Sequence, residues 1–280
     1  MTVKRPTMLV RGLNVRGLRY RAKGRYDQAL ADFDRAIELS PDHPWTFYNR
    51  GDTYREMKRY DQSLADFGRA VELGAPDARV FIGRGRTYWA MGRHDDALAD
   101  FDRAMELGGA DASALVGRGM TYVAMERYDD ALADYDRAIE LTPGRHASVI
   151  FARGHAYREM GRYDQALADF DRATELSAAD ARVFTGRGQT YGEMGQYDQA
   201  LADLNRAIEL GGPNQALAIF RRGETYRRMG HYDRALADFD HAIELDPAED
   251  EFAAARTEIC QVTGGSDDDA LPSNRGTTAT

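Results

Sequence analysis

The segment Tyr-Asp-Gln-Ala-Leu-Ala-Asp-Phe-Asp-Arg-Ala that begins at Tyr26 returns almost letter for letter down the chain. Its leading position holds Tyr26, Tyr60, His94, Tyr128, Tyr163, Tyr197 and Tyr232, so the successive spacings are 34, 34, 34, 35, 34 and 35 residues. A fixed period of this length restricts a chain to stacked repeats, because one unit is too short to bury its own apolar face and neighbours must complete the core. The repetition runs from about Val10 to Asp246 without a linker, which predicts one continuous solenoid where length alone suggests one or two globular domains.

Each unit reads as two helices. In the second unit Phe47, Gly51, Tyr54 and Met57 fall at intervals of 4, 3 and 3 on one helical stripe, which Lys58-Arg59 ends. A second helix starts near Tyr60, with Asp61 in the first turn where the helix dipole favours an anion, and Leu64, Phe67, Val71 and Leu73 forming its apolar side. Gly74-Ala75-Pro76 stops it. Gly17, Gly51, Gly85, Gly119, Gly154, Gly188 and Gly223 occupy the middle of every first helix, where glycine costs about 1 kcal/mol relative to alanine. Small residues at Ala29, Ser63, Ala97, Ala131, Ala166, Ala200 and Ala235 hold a matching place in the second helices, so the pattern predicts two helices packed at short distance around each glycine. The expected division is an N-terminal segment 1–9, repeats 10–43, 44–77, 78–111, 112–146, 147–180, 181–215 and 216–249, a capping helix 250–262, and a disordered tail 263–280.

The order of an aromatic, Gly and Tyr in the first helix, then Tyr, a small residue, Phe, Ala and Pro in the second, resembles the tetratricopeptide repeat. In the second unit these are Phe47, Gly51, Tyr54, Tyr60, Ser63, Phe67, Ala70 and Pro76. The resemblance implies an all-α, right-handed superhelical solenoid of seven helix-turn-helix units, with first helices lining a concave groove and second helices forming the outer wall. It also implies a non-catalytic scaffold that binds peptides or assembles complexes. One departure is consistent: where this family usually carries leucine before its glycine, the chain has Arg16, Arg50, Arg84, Arg118, Arg153, Arg187 and Arg222. The second helices answer with Asp32, Asp66, Asp100, Asp134, Asp169, Asp203 and Asp238. Seven partners for seven arginines favour a ladder of bidentate pairs between helices, the alternative being arginines that contact a ligand. The family subset that grips a C-terminal carboxylate is not matched, since the aligned positions are Asn14, Leu18, Asn49, Arg79 and Gly83 and only Asn49 agrees outright.

No constellation suited to catalysis is visible. The six histidines lack metal-ligand spacing, and Cys260 is the sole cysteine, which excludes an intramolecular disulfide and a thiolate cluster. Gly108-Gly109 and Gly211-Gly212 lack the following Lys-Ser/Thr of a phosphate loop. No cofactor and no enzymatic activity are expected. Met57, Met91, Met125, Met160, Met194 and Met229 close the first-helix stripes and read as hairpin packing. No apolar run is long enough to span a membrane and the N-terminus has no secretory core, so a cytoplasmic location is expected.

Function is sought where the repeats stop being copies. Three first-helix columns vary down the chain: Asn14, Tyr48, Ile82, Val116, Phe151, Thr185 and Phe220; Leu18, Asp52, Arg86, Met120, His155, Gln189 and Glu224; and Arg21, Arg55, Trp89, Val123, Arg158, Gly192 and Arg227. The candidate peptide-binding residues drawn from them are Tyr48, Arg55, Ile82, Arg86, Trp89, Val116, Met120, Val123, Phe151, His155, Arg158, Phe220 and Arg227. Among them Ile82, Trp89, Val116, Met120, Val123 and Phe151 form an apolar patch with arginines at its rim, the ordinary composition of a protein-binding surface. The competing reading is that these side chains pack between adjacent first helices. Over the second to seventh units the first helices carry about +13 and the second helices about −18, although the whole chain is at −9. The favoured ligand is therefore an acidic peptide, and nucleic acid is disfavoured by the acidic outer wall and the near absence of lysine. Alternatives are a self-associating structural module, suggested by the irregular first unit with Gly12 and Lys23, and a regulatory region of a larger signalling system.

Overall fold

The apolar stripes fold as helices wherever the period places them. The computed structural model describes residues 7–74, 77–108, 111–142, 147–177 and 180–263. Pro76, Gly109, His146, the segment before Thr7 and the tail from Gly264 lie outside the described residues. First helices are α1 (Met8–Arg21), α3 (Pro44–Glu56), α5 (Ala78–Ala90), α7 (Ala112–Ala124), α9 (Ala147–Glu159), α11 (Ala181–Glu193) and α13 (Gln215–Arg228). Second helices are α2 (Tyr26–Leu39), α4 (Tyr60–Glu72), α6 (His94–Gly108), α8 (Tyr128–Leu141), α10 (Tyr163–Leu176), α12 (Tyr197–Leu210) and α14 (Tyr232–Leu245), and α15 (Asp250–Thr263) follows. No strand occurs among the described residues. The chain divides into two compact units, Met1–Ala156 and Tyr157–Thr280, with the boundary inside α9.

Each second helix buries one stripe: in α2 this is Ala29, Leu30, Asp32, Phe33 and Ala36, while Asp27 in its first turn complements the helix dipole. The residues before the second helices, such as Arg25, Arg59 and Arg127, make no side-chain cap. Instead their guanidinium groups stack on the last tyrosine of the first helix, Arg25 at 5.1 Å from Tyr20, Arg59 at 4.6 Å from Tyr54 and Arg127 at 4.4 Å from Tyr122. The methionine column marks the C-caps of the first helices, where the side chains are half-buried in the hairpin turn.

The core glycines are packing devices. A Cβ on Gly17 would lie 2.6 Å from the ring of Phe33, on Gly119 2.7 Å from Tyr135, and on Gly223 2.7 Å from Phe239. A second set of glycines does the same between repeats: a Cβ on Gly83 would meet Phe67 at 2.7 Å, and one on Gly117 would meet Phe101 at 2.5 Å. Phe67 and Phe101 are fully buried, each held between the glycine-bearing first helices of its own repeat and the next. In the unit Met1–Ala156, consecutive first helices α1, α3, α5 and α7 lie closer to one another than do consecutive second helices. That wall of the unit is therefore its inner one.

The arginines before the glycines are structural. Arg16, Arg50, Arg84, Arg118, Arg187 and Arg222 donate two hydrogen bonds each, from Nε and Nη2, to the two oxygens of Asp32, Asp66, Asp100, Asp134, Asp203 and Asp238, at 2.6–2.8 Å. The aspartates are nearly buried, which fixes the pair as a packing element. A further bond runs between repeats: Nη1 of Arg50, Arg118, Arg153, Arg187 and Arg222 donates to Asp34, Asp102, Asp136, Asp171 and Asn205 on the preceding second helix, at 2.5–2.7 Å. The bond to Asp134 holds the Arg118 guanidinium above its ordinary pKa, burial opposing and Asp102 reinforcing.

At Arg84 the preceding helix offers Gly68, and the bond between repeats is missing. Nothing lies within 4 Å of a Cβ built on Gly68. Gly68→Asp is therefore expected to raise the unfolding free energy read from a denaturant melt, by about 0.2–1 kcal/mol from the new exposed ion pair and by part of the glycine helix penalty. Gly68→Asn controls for the backbone, and the excess of the aspartate over the asparagine variant should vanish at high salt.

Candidate functional site

Five of the candidate residues converge in the unit Met1–Ala156. Arg55 from α3, Arg86 and Trp89 from α5, and Val116 and Met120 from α7, together with Ala90, Phe101 and Gly117, line a cavity of about 320 Å³ on the first-helix wall. The missing side chain at Gly117 lets the Phe101 ring lie close against α7, where both form part of the cavity wall. Trp89 and Met120 are 36% and 37% exposed, and their apolar surface faces water at the mouth.

The charge in this cavity is uneven. Arg55 is held by Asp52, which also binds Arg21 from α1 at 2.7 Å, so that one carboxylate bridges two arginines. Arg86 has no carboxylate within ion-pair distance among the described residues. Arg86 as a whole residue is exposed, yet the atoms crowded around its guanidinium, and then the charge of Arg55, lower its pKa, with Asp52 and Asp111 opposing from beyond ion-pair distance. A cation so placed gains from any anion that enters.

The remaining candidates separate. Ile82 is buried against Ala97, Phe101, Ala104 and Ala114 and belongs to the core, not to an open groove. Phe220, in the other unit, is 1% exposed, with its ring 5.3 Å from Phe239 and 4.7 Å from Phe252, and is likewise core. Tyr48 is half-buried and packs edge-on against Trp45, its ring centroid 5.6 Å away. Val123, Phe151 and His155 are half-buried on α7 and α9. In the unit Tyr157–Thr280, Arg158 is buried and bonds Glu193 at 2.8 Å and also Glu159, and Arg227 is held by Glu224 at 2.8 Å.

Much of the net positive charge of the first helices is engaged by carboxylates from outside them: second-helix aspartates take the ladder arginines, and Asp77, Asp180 and Glu251 pair with Arg79, Arg182 and Arg221. Asp52, Glu193 and Glu224, already subtracted in that total, pair with Arg55, Arg158 and Arg227. Gly83, Gly117 and the second-helix acids Asp34, Asp102, Asp136 and Asp171 carry structural roles that the repeat pattern had not singled out. Among the described residues no cluster of histidine, cysteine and carboxylate side chains has the arrangement of a metal site, and no helix is long and apolar enough to cross a membrane.

Comparison with known proteins fits this geometry. The description TPR repeat matches residues 17–58, and the description Tetratricopeptide repeat matches 44–109, 76–141, 110–179, 147–211 and 180–248. The chain belongs to the tetratricopeptide repeat family. It is similar in fold to a tetratricopeptide repeat protein from Parabacteroides merdae ATCC 43184, at a TM-score of 0.75 and 19% identity over 90% of this chain and 99% of that one. It is also similar to a chain of the APC/C hetero-tetramer Cut9-Hcn1, with a TM-score of 0.68, 15% identity and coverage of 86% and 47%, and to Pseudomonas aeruginosa pilF, with 0.59, 16%, and 77% and 97%. No curated protein matches the chain. A tetratricopeptide array of this kind is a protein–protein interaction scaffold.

Proposed function

We propose that this tetratricopeptide protein is a non-catalytic adaptor that binds a peptide segment on the first-helix wall of the unit Met1–Ala156. An apolar side chain of the peptide enters the cavity between Trp89, Val116 and Met120, and a neighbouring carboxylate meets Arg86. The observation that carries this reading is Arg86, without an ion-pair partner among the described residues, lining an apolar cavity whose other arginine is already paired. Removing apolar surface from water supplies most of the affinity, and the charge orients the peptide. The acidic preference is narrower than the first-helix charge total suggested, because it rests on one arginine.

Selection from a displayed library of random peptides tests this. Retained sequences should be enriched in an aromatic or aliphatic residue beside Asp or Glu. Trp89→Ala should weaken the selected peptides at least tenfold, about 1.4 kcal/mol or more. Arg86→Ala should weaken them less and remove most of their salt dependence. Equal retention by the unaltered protein and the Trp89→Ala variant would refute the site.

A further inference from the structure

The ladder has an open rung at its first step. Arg16 forms the fork with Asp32, but its third nitrogen has no partner among the described residues, and the side chain is 59% exposed where its equivalents are 19–23% exposed. Arg16 lies on α1, whose outward residues include Met8, Leu9 and Val15 at 91%, 61% and 51% exposure. Arg11 and Arg19 are exposed on the same helix, which contains no acidic residue. This is a repeat-stacking face, apolar and basic, with a guanidinium poised for a carboxylate that an adjoining helix supplies elsewhere in the array.

The opposite end carries the complementary surface. α15 is built as a first helix: Phe252 and Ile259 are buried against α13 and α14, and Arg256 bonds Asp240 at 2.5 Å as the other arginines bond the preceding second helix. Among the described residues no second helix covers it. Its surroundings expose Glu244, Asp246, Glu249 and Asp250, together with Glu251 and Glu258, which pair with Arg221 and Arg227, and leave Val262 67% exposed. A cleft of about 210 Å³ beside Val262, lined by Arg227, Arg228, Tyr232, Glu258 and Ile259, has room for an aliphatic side chain.

We propose that copies of this chain associate head to tail, the α1 face of one packing on the α15 face of the next. Leu9 and Val15 are buried against Val262, and Arg11, Arg16 and Arg19 meet the carboxylates around α15. Like charges oppose pairing of two α1 faces or of two α15 faces, which leaves the heterologous contact, and a heterologous contact that does not close makes open-ended oligomers. This inference is independent of the peptide site, which lies on a different face.

Light scattering on the full chain over a concentration series provides the test. The mean mass should rise past that of a dimer with concentration and fall with added salt. Leu9→Asp/Val15→Asp blocks one face and Val262→Asp blocks the other. All three side chains are exposed, so circular dichroism should remain that of the unaltered protein. Each blocked chain alone should be monomeric, and an equimolar mixture of the two should give a dimer and nothing larger. A monomer at every concentration, an assembly that stops at two, or a mixture that stays monomeric would each overturn the proposal.

Discussion

Replacing Gly119 with leucine unfolds the middle of the unit Met1–Ala156. A Cβ at this position would stand 2.7 Å from the ring of Tyr135, a side chain with 1% exposure and no room to withdraw. Leucine in a helix interior regains about 1 kcal/mol over glycine, but overpacking a dense core costs about 1–3 kcal/mol or more. Leucine brings three carbons beyond the Cβ into space the ring already fills. The net loss is about 2 kcal/mol or more. In a stack stabilised by nearest neighbours, such a loss separates the repeats on either side, so the denaturation curve should broaden or split as well as shift. Gly119→Ala should fall between, and Gly119→Ala with Tyr135→Leu should lose less than the two single changes together, because leucine at Tyr135 vacates the ring volume. Denaturant melts of the four proteins measure this, and an unchanged Gly119→Leu curve would remove the packing role.

The helix pairs were legible from the 34- and 35-residue spacing, since no other arrangement buries seven identical stripes. The fork between Arg and Asp was legible because both columns recur in every unit. Its second bond was not, because Asp34 and its equivalents read as ordinary charges on a solvated helix face and Gly68 breaks the column. In the candidate site, Arg86, Trp89, Val116 and Met120 stood out as variable positions, and they line one cavity. Ile82 and Phe220 varied for a different reason. Each fills the space left by a neighbouring helix, Phe101 on α6 in one case and Phe252 on α15 in the other, and burial of that kind depends on contacts a local pattern does not contain. The charge totals misled in the same way, since carboxylates outside the first helices engage part of their charge, Asp77 and Asp180 holding Arg79 and Arg182 and Glu251 holding Arg221.

Asp134→Ala is the second large effect expected, and its partner variant decides what the ladder contributes. Alanine removes both acceptors of Arg118, bonds of 2.8 and 2.7 Å, and leaves a guanidinium about one-fifth exposed with only Asp102 to hold it. Breaking a buried pair by deleting one partner costs about 3–5 kcal/mol. Partial exposure of Arg118 and the surviving bond to Asp102 bring the expected loss to about 2–3 kcal/mol. Arg118→Leu places the family's usual residue in the array, and combined with Asp134→Ala it leaves neither charge uncompensated. The double variant should therefore recover most of the loss in a denaturant melt, because an apolar pair can match an ion pair once the desolvation of both charges is avoided. Recovery would show that the pairs mainly enforce register, each arginine joining its own second helix to the one before it. A double variant as unstable as Asp134→Ala alone would show instead that the ladder itself supplies net stability.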